Sequence, residues 1–198
     1  MRRRRSWINR TWLRAAGRSG LLARDESAAT AVEFAILALP FFTIIFAILE
    51  TAIVFFAGQV LDSAVNDSSR LIRTGRAQTA GYTADDYRDA ICDGLYGLFD
   101  CTDTSKFRVR VTTIADFASA APSTPIDPTC YASGTNCDLS VAQAYEPGVG
   151  SSVVLVEAYY KWPTIVNLPL FNLATMEDGT RLLAAVRIFR NEPFGGGT

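Results

Sequence analysis

Residues 34–57 read FAILALPFFTIIFAILETAIVFFA. The one charge in this stretch is Glu50, and the other positions that are not apolar are Pro40, Thr43 and Thr51. A bilayer core about 30 Å thick takes ~20 apolar residues at 1.5 Å per residue, so this segment is long enough to span a membrane as a helix. The helix of a buried core rarely stays apolar all round for this length. A cleaved secretory signal has an apolar region of only about 7–15 residues closed by a small-residue site, and no such site closes this run. The fold is therefore read as a membrane helix carrying whatever the rest of the chain builds.

Upstream of that helix the charge is one-sided. Arg2, Arg3, Arg4, Arg5, Arg10, Arg14, Arg18 and Arg24 fall within residues 1–24 with no acid among them. From Ser27 onward 11 basic residues face 18 acidic ones, a net charge of −7. Past the span the next basic residue is Arg70. Arginine and lysine are retained on the cytoplasmic side, so the N-terminus is expected to stay inside and the body to be exported. In a bacterium the expectation is a single-pass inner-membrane protein whose C-terminal body would be periplasmic or extracellular, with periplasmic favoured. The run Arg2–Arg5 could touch RNA, but beside a membrane span it serves topology, and no nucleic-acid partner is expected. The chain has 198 residues, 49% of them hydrophobic and 20% charged, which excludes a disordered chain. It has no histidine, which excludes a Ser-His-Asp triad, a Cys-His pair and H-E-x-x-H zinc chemistry.

Two glutamates mark the span. Glu33 opens it, and Glu50 lies about 25 Å further along the helix axis, near the other face. A carboxylate at mid-bilayer costs roughly 2.5–3.5 kcal/mol and less near an interface. Glu50 reads equally well as an interface marker and as a helix-packing group.

Around Glu33, the stretch Ala28-Ala29-Thr30-Ala31-Val32-Glu33-Phe34 leads into Ala35-Ile36-Leu37-Ala38-Leu39-Pro40. It resembles the start of TadE-like pseudopilins, minor pilin-like proteins of the tight-adherence (Tad/Flp) pilus machinery. Arg190-Asn191-Glu192-Pro193-Phe194 resembles an ending common in that family, and a glutamate late in the span, like Glu50, is usual there. The resemblance implies a prepilin peptidase cut between Ala28 and Ala29, where the family usually has glycine before the cut, which would make Glu33 the fifth mature residue. It also implies that Glu33, Phe34 and Glu50 contact other subunits in the membrane, Glu33 through a neighbour's free amine. An ion pair is kept in lipid because either charge alone is costly there. The implied partners are other pilin-like subunits, the inner-membrane Tad platform, prepilin peptidase and membrane lipid, with no small-molecule substrate.

Beyond the span, Val60, Leu61, Ala64, Val65, Leu71 and Ile72 alternate with polar residues at helical spacing, so the helix is expected to continue as an amphipathic segment stopped by Gly75 or Gly81. Thr83-x-x-Asp86 resembles a capping box opening a second helix with the apolar stripe Tyr87, Ala90, Ile91, Leu95, Leu98 and Phe99. Three strands are readable. In Lys106–Ala115, Phe107, Val109 and Val111 oppose Arg108 and Arg110. Ser151–Trp162 is rich in β-branched and aromatic residues. In Arg181–Arg190, Leu182, Ala184, Val186 and Ile188 share one face and Arg187 and Phe189 the other. The predicted fold is α+β: a long N-terminal transmembrane helix extending into a small exported domain, with a second helix and an antiparallel sheet of about three strands. The expected organisation is a basic cytoplasmic leader over 1–28, the transmembrane helix and its extension over 29–80, and the exported domain over 81–198. Residues 116–150 form a long loop, and the apolar insertion Pro163–Asp178 reads as a partner surface or a core flap.

All four cysteines follow the span. An even number in an oxidising compartment favours two disulfides out of three pairings. Cys92–Cys101 and Cys130–Cys137 are favoured because each pair is close in sequence, and Gly134 eases closure of the second loop. Spacings of nine and seven without histidine do not suit zinc, and no metal or other cofactor is expected. Asp85-Asp86 and Glu177-Asp178 could serve as hydrolytic carboxylate pairs, but adjacent acids are more often solvated surface, and no catalytic residue is assigned. The function expected is a non-catalytic assembly component, a minor pseudopilin of a Tad/Flp pilus and secretion system. The alternative is an uncleaved single-pass anchor presenting an exported protein-binding domain.

Overall fold

A computed structural model describes residues 26–127, 138–168 and 171–195. The long helix α1 runs over Glu26–Arg73. Its 48 residues extend for about 70 Å. The chain divides into two compact units, the first ending at Ile48 and the second covering Leu49–Thr198. In the first unit the described residues form one helix whose large apolar side chains, Val32 through Ile48, are exposed apart from the half-buried Ile45. Pro40 lies within it. A proline inside an apolar helix is tolerated where other groups satisfy the backbone. Nearby, Thr43 Oγ1 donates to the Leu39 carbonyl at 2.7 Å, so this hydroxyl is spent on its own helix.

In the second unit the α1 residues Val54, Ala57, Leu61, Ala64, Val65 and Ile72 are buried at steps of three and four, one face of a helix. They pack on a sheet of four strands in the order β2-β1-β3-β6: β1 Phe107–Ile114, β2 Ala144–Tyr145, β3 Val153–Pro163 and β6 Thr180–Arg190. The three strands read from the sequence are present within two residues of their expected ends, and β1/β3 and β3/β6 are antiparallel. The sheet is mixed, however, because β2 adds a fourth strand parallel to β1, pairing Arg110 with Ala144 and Val111 with Tyr145. Two residues are too short to show alternation, so nothing in the sequence marked this strand. Strand β3 is central. Phe107, Val109, Val111, Val154, Val156, Ala158, Tyr160, Leu183 and Ala185 form the core with α1. On its opposite face Tyr159 packs with Leu139 and Val141 from the long loop and with Leu182 from β6. Burial on both faces explains why β3 reads as a nearly unbroken apolar run.

Gly75, at φ 76°, takes the left-handed conformation just past α1, and the short helix α2, Arg76–Thr79, follows. The helix α3, Ala84–Asp93, opens on a true capping box: Thr83 Oγ1 accepts from the Asp86 N–H, and the Asp86 carboxylate accepts from the Thr83 N–H. The expected stripe through Phe99 is not all helical. The helix stops at Asp93, and Leu95, Leu98 and Phe99 lie in turns, with Leu95 and Phe99 still buried and Leu98 exposed. Gly97, at φ 72°, takes a left-handed conformation at no steric cost, whereas Tyr96 beside it takes one at φ 52° despite its Cβ. Cys92 and Cys101 are disulfide-bonded across this segment, as their spacing suggested. Cys130 and Cys137 lie outside the described residues, as does the leader up to Asp25. The insertion after β3 carries two short antiparallel strands, β4 Asn167–Leu168 and β5 Phe171–Asn172.

Candidate functional site

The residues expected to act are spread along α1. The Ala28–Ala29 bond lies within the described helical residues of α1. Glu33 and Phe34 are exposed there, as are Val32, Ile36 and Leu37 around them. Apolar exposure on every side of a helix is suited to lipid or to neighbouring apolar helices and unsuited to water. Among the described residues this is the one helix long and apolar enough to cross a membrane.

Glu50 is placed differently. It is 6% exposed, and its carboxylate is taken up within its own chain. Oε1 accepts from the Ile165 N–H at 2.6 Å, and both oxygens lie 3.1 Å from the Val166 N–H. A buried carboxylate is stable only when such donors replace its lost water. The three residues grouped as subunit contacts are thus not brought together. Glu33 and Phe34 face outward, and Glu50 ties the insertion after β3 to α1.

The C-terminal stretch proves to be a lock on the far end of α1. The Glu192 N–H donates to the Arg73 carbonyl at 2.8 Å, and the Glu192 carboxylate lies 3.6 Å from Arg73 Nε. The last carbonyls of any helix lack intrahelical donors, so this supplies one. Asn191 is buried: its Nδ2 donates to the carbonyls of Pro147 and Val149 at 2.9 and 3.0 Å, and its N–H donates to the Ser152 carbonyl. The Phe194 ring covers Gly75, where a Cβ would fall 2.5 Å from Cγ, while a Cβ on Gly150 would fall 2.4 Å from the Phe194 carbonyl oxygen. The ending reads as recognisable in sequence, but its geometric role became legible only once the partners of Asn191, Glu192 and Phe194 were in view.

On the sheet face away from α1, Glu157 is fully buried. Its carboxylate accepts from the Ser123 N–H at 2.6 Å, Ser123 Oγ at 3.0 Å and Tyr159 Oη at 2.9 Å, with Arg110 Nε 3.9 Å away. Burial, and then the neighbouring carboxylate, raise the Tyr159 pKa. Sequence reasoning passed over Glu157, although an acid inside the run VVLVEAYYKW was a visible signal. Its donors hold the 116–127 segment to the sheet. Lys161 lies 2.5 Å from Asp178 and 3.0 Å from Asp138. Burial works against its charge, but the hydrogen bonds it donates to both acids outweigh that and hold its pKa above the ordinary lysine value. Of the two carboxylate pairs, Asp86 caps α3 and Asp178 pairs with Lys161.

Residues 28–70 match the family model of TadE-like proteins. That is the family the sequence resembles at Glu33, and the match points to a component associated with the Tad pilus. The TadE-like segment runs along α1 from Ala28 to within three residues of its end. It includes Glu33, Phe34 and Glu50 and none of the sheet. No curated protein and no solved structure matches the chain.

Proposed function

We propose that this protein is a non-catalytic, membrane-anchored assembly component, minor pseudopilin-like, of a Tad/Flp-type pilus and secretion system. One observation carries the reading: the TadE-like segment coincides with a helix whose N-terminal apolar part, with Glu33 and Phe34, is exposed on its surface. In this reading the helix sits in the bacterial inner membrane with its arginine leader in the cytoplasm and its body in the periplasm. Glu33 and Phe34 meet other pilin-like subunits or the membrane platform, and the α+β body presents a surface to further components.

The test is Glu33→Ala in a strain lacking the wild-type copy. Removing a charge from the edge of the span favours insertion, so the membrane level stays normal. Loss of the carboxylate leaves a partner's cation unpaired in a low-dielectric setting, so assembly fails. Full assembly at a normal membrane level refutes the role. A second reading, an uncleaved anchor, is favoured by one feature: the Ala28–Ala29 bond lies inside a helical turn, a poor conformation for a peptidase. Intact mass of the extracted protein separates the two, since cleavage there would leave Ala29 as the mature N-terminus.

A further inference from the structure

We infer that the segment Pro163–Val166, at the end of β3, is a foot that seats the exported body in the outer layer of the bilayer, with lipid as its partner. The inference goes beyond the pilus reading and rests only on α1 spanning the membrane. Three observations carry it.

The first is position. Ile165 and Val166 are tied through their backbone N–H groups to Glu50, which lies inside the apolar stretch 34–57. Helical side chains lean toward the helix N-terminus, so a group bound by the Glu50 carboxylate sits level with Glu50 or deeper in the span. The second is surface chemistry. Ile165 is 84% exposed, and the α1 residues Leu49 and Ile53, within one turn of Glu50, are exposed as well. Apolar side chains on the foot and on the helix beside it thus form a continuation of the lipid-facing surface. The third is the backbone. Irregular chain at membrane depth is tolerated only where its polar groups are satisfied. The Glu50 carboxylate does this for two successive N–H groups that a loop in hydrocarbon would otherwise leave without acceptors, and the same bonds supply the donors that a carboxylate at this depth needs.

Just above the foot, Arg181 lines a groove of about 290 Å³ together with Thr51, Phe55, Gln59 and Leu173. Arg181 and its β3 neighbour Trp162 are paired across the sheet. Arginine is a residue type that snorkels its charge to headgroup level, while the Trp162 ring packs on Phe99 and Tyr160 inside the body. The β3–β6 end of the sheet would then rest on the headgroups with the foot below it.

The full wild-type chain tests this after reconstitution into vesicles of phosphatidylcholine and phosphatidylglycerol that include a phosphatidylcholine with a diazirine in the upper part of one acyl chain. After illumination, tryptic peptides are mapped by mass spectrometry. Cleavage after Lys161 and Arg181 isolates the foot, and cleavage after Arg24 and Arg70 isolates most of α1. Val149 is the control, since it is exposed and its carbonyl is bonded to Asn191 at the other end of the body. The expected result is label on Ile165 comparable to that on the lipid-facing residues of α1, with only background label on Val149, because only a side chain at acyl-chain depth meets the diazirine. Labelled α1 with Ile165 no higher than Val149 overturns the foot and leaves the span standing. No label on either overturns the foot together with the membrane reading of α1.

Discussion

Gly75→Ala is the sharpest probe of how the C-terminus holds the end of α1. The perturbation acts twice. A left-handed conformation costs a residue with a Cβ about 1 kcal/mol or somewhat more, and Gly75 sits at φ 76°. The new methyl would also fall 2.5 Å from Cγ of Phe194. The ring cannot simply back away, because the Phe194 backbone is pressed against Gly150 on its other side. Displacing a partly buried phenylalanine forfeits roughly 1–2 kcal/mol of burial. Gly75→Ala should therefore cost about 2–3 kcal/mol in all. Phe194→Ala alone should cost about 1–2 kcal/mol, the burial term without the strain. With the ring gone, the three nearest atoms that the added methyl would meet are gone with it, so the double variant should cost no more than Gly75→Ala alone. The cycle then shows a coupling of about 1–2 kcal/mol. Urea unfolding of the full chain in detergent, followed by protease susceptibility of the body, gives all four corners. For a chain of this size the loss at Gly75→Ala corresponds to a fall of about 5–10 °C in Tm. Additive costs in the double variant would refute the reasoning, since they would mean that Phe194 does not rest on Gly75.

Glu50→Leu should free the segment after β3: two N–H groups lose a charged acceptor, a cost of about 2–4 kcal/mol, and protease nicking between Pro163 and Asp178 should rise, with Glu50→Gln intermediate; unchanged nicking would contradict the tie. The Cys92–Cys101 bridge closes a loop with a sequence separation of 9, for which the chain-entropy model gives about 2–3 kcal/mol; the paired alanine variant should melt correspondingly lower, and an unchanged Tm would contradict that share. Asp103 accepts hydrogen bonds from Ser105 Oγ and N–H and lies 3.1 Å from Lys106 Nζ, and these hold its pKa at about 2. A carboxylate whose folded pKa is depressed stabilises fully above its unfolded value of about 4 and loses that contribution as pH falls through the folded one. Protection of the Ser105 and Lys106 amides, taken relative to the intrinsic exchange rate at each pH, should thus fall between about pH 4 and pH 2, and Asp103→Asn should flatten that dependence; an equal slope in the variant would argue against the turn.

What the sequence by itself determined is what depends on neighbours along the chain. An apolar run such as 34–57 reads as a helix of membrane length because its signal is local and long. The Thr83–Asp86 cap, the alternation of Phe107, Val109 and Val111, and the short disulfide from Cys92 to Cys101 are likewise set within a few residues, and the structure contains each of them. What only the tertiary structure decided is where a residue's partner is distant. Glu50 and Ile165 stand 115 positions apart, so an acid late in the span could be read as an interface mark or a packing group until the N–H groups facing it were known. Glu157 met its donors from Ser123 in a loop without pattern, and Ala144–Tyr145 paired beside β1 with too few residues to show a period. The ending Asn191–Phe194 was visible as a motif, yet its work on Arg73 and Gly75 appears only when the last strand brings it back to the helix end. Hydrophobic period and turn chemistry are properties of a short window of chain, whereas a buried polar group is specified by whichever segment the fold carries to it.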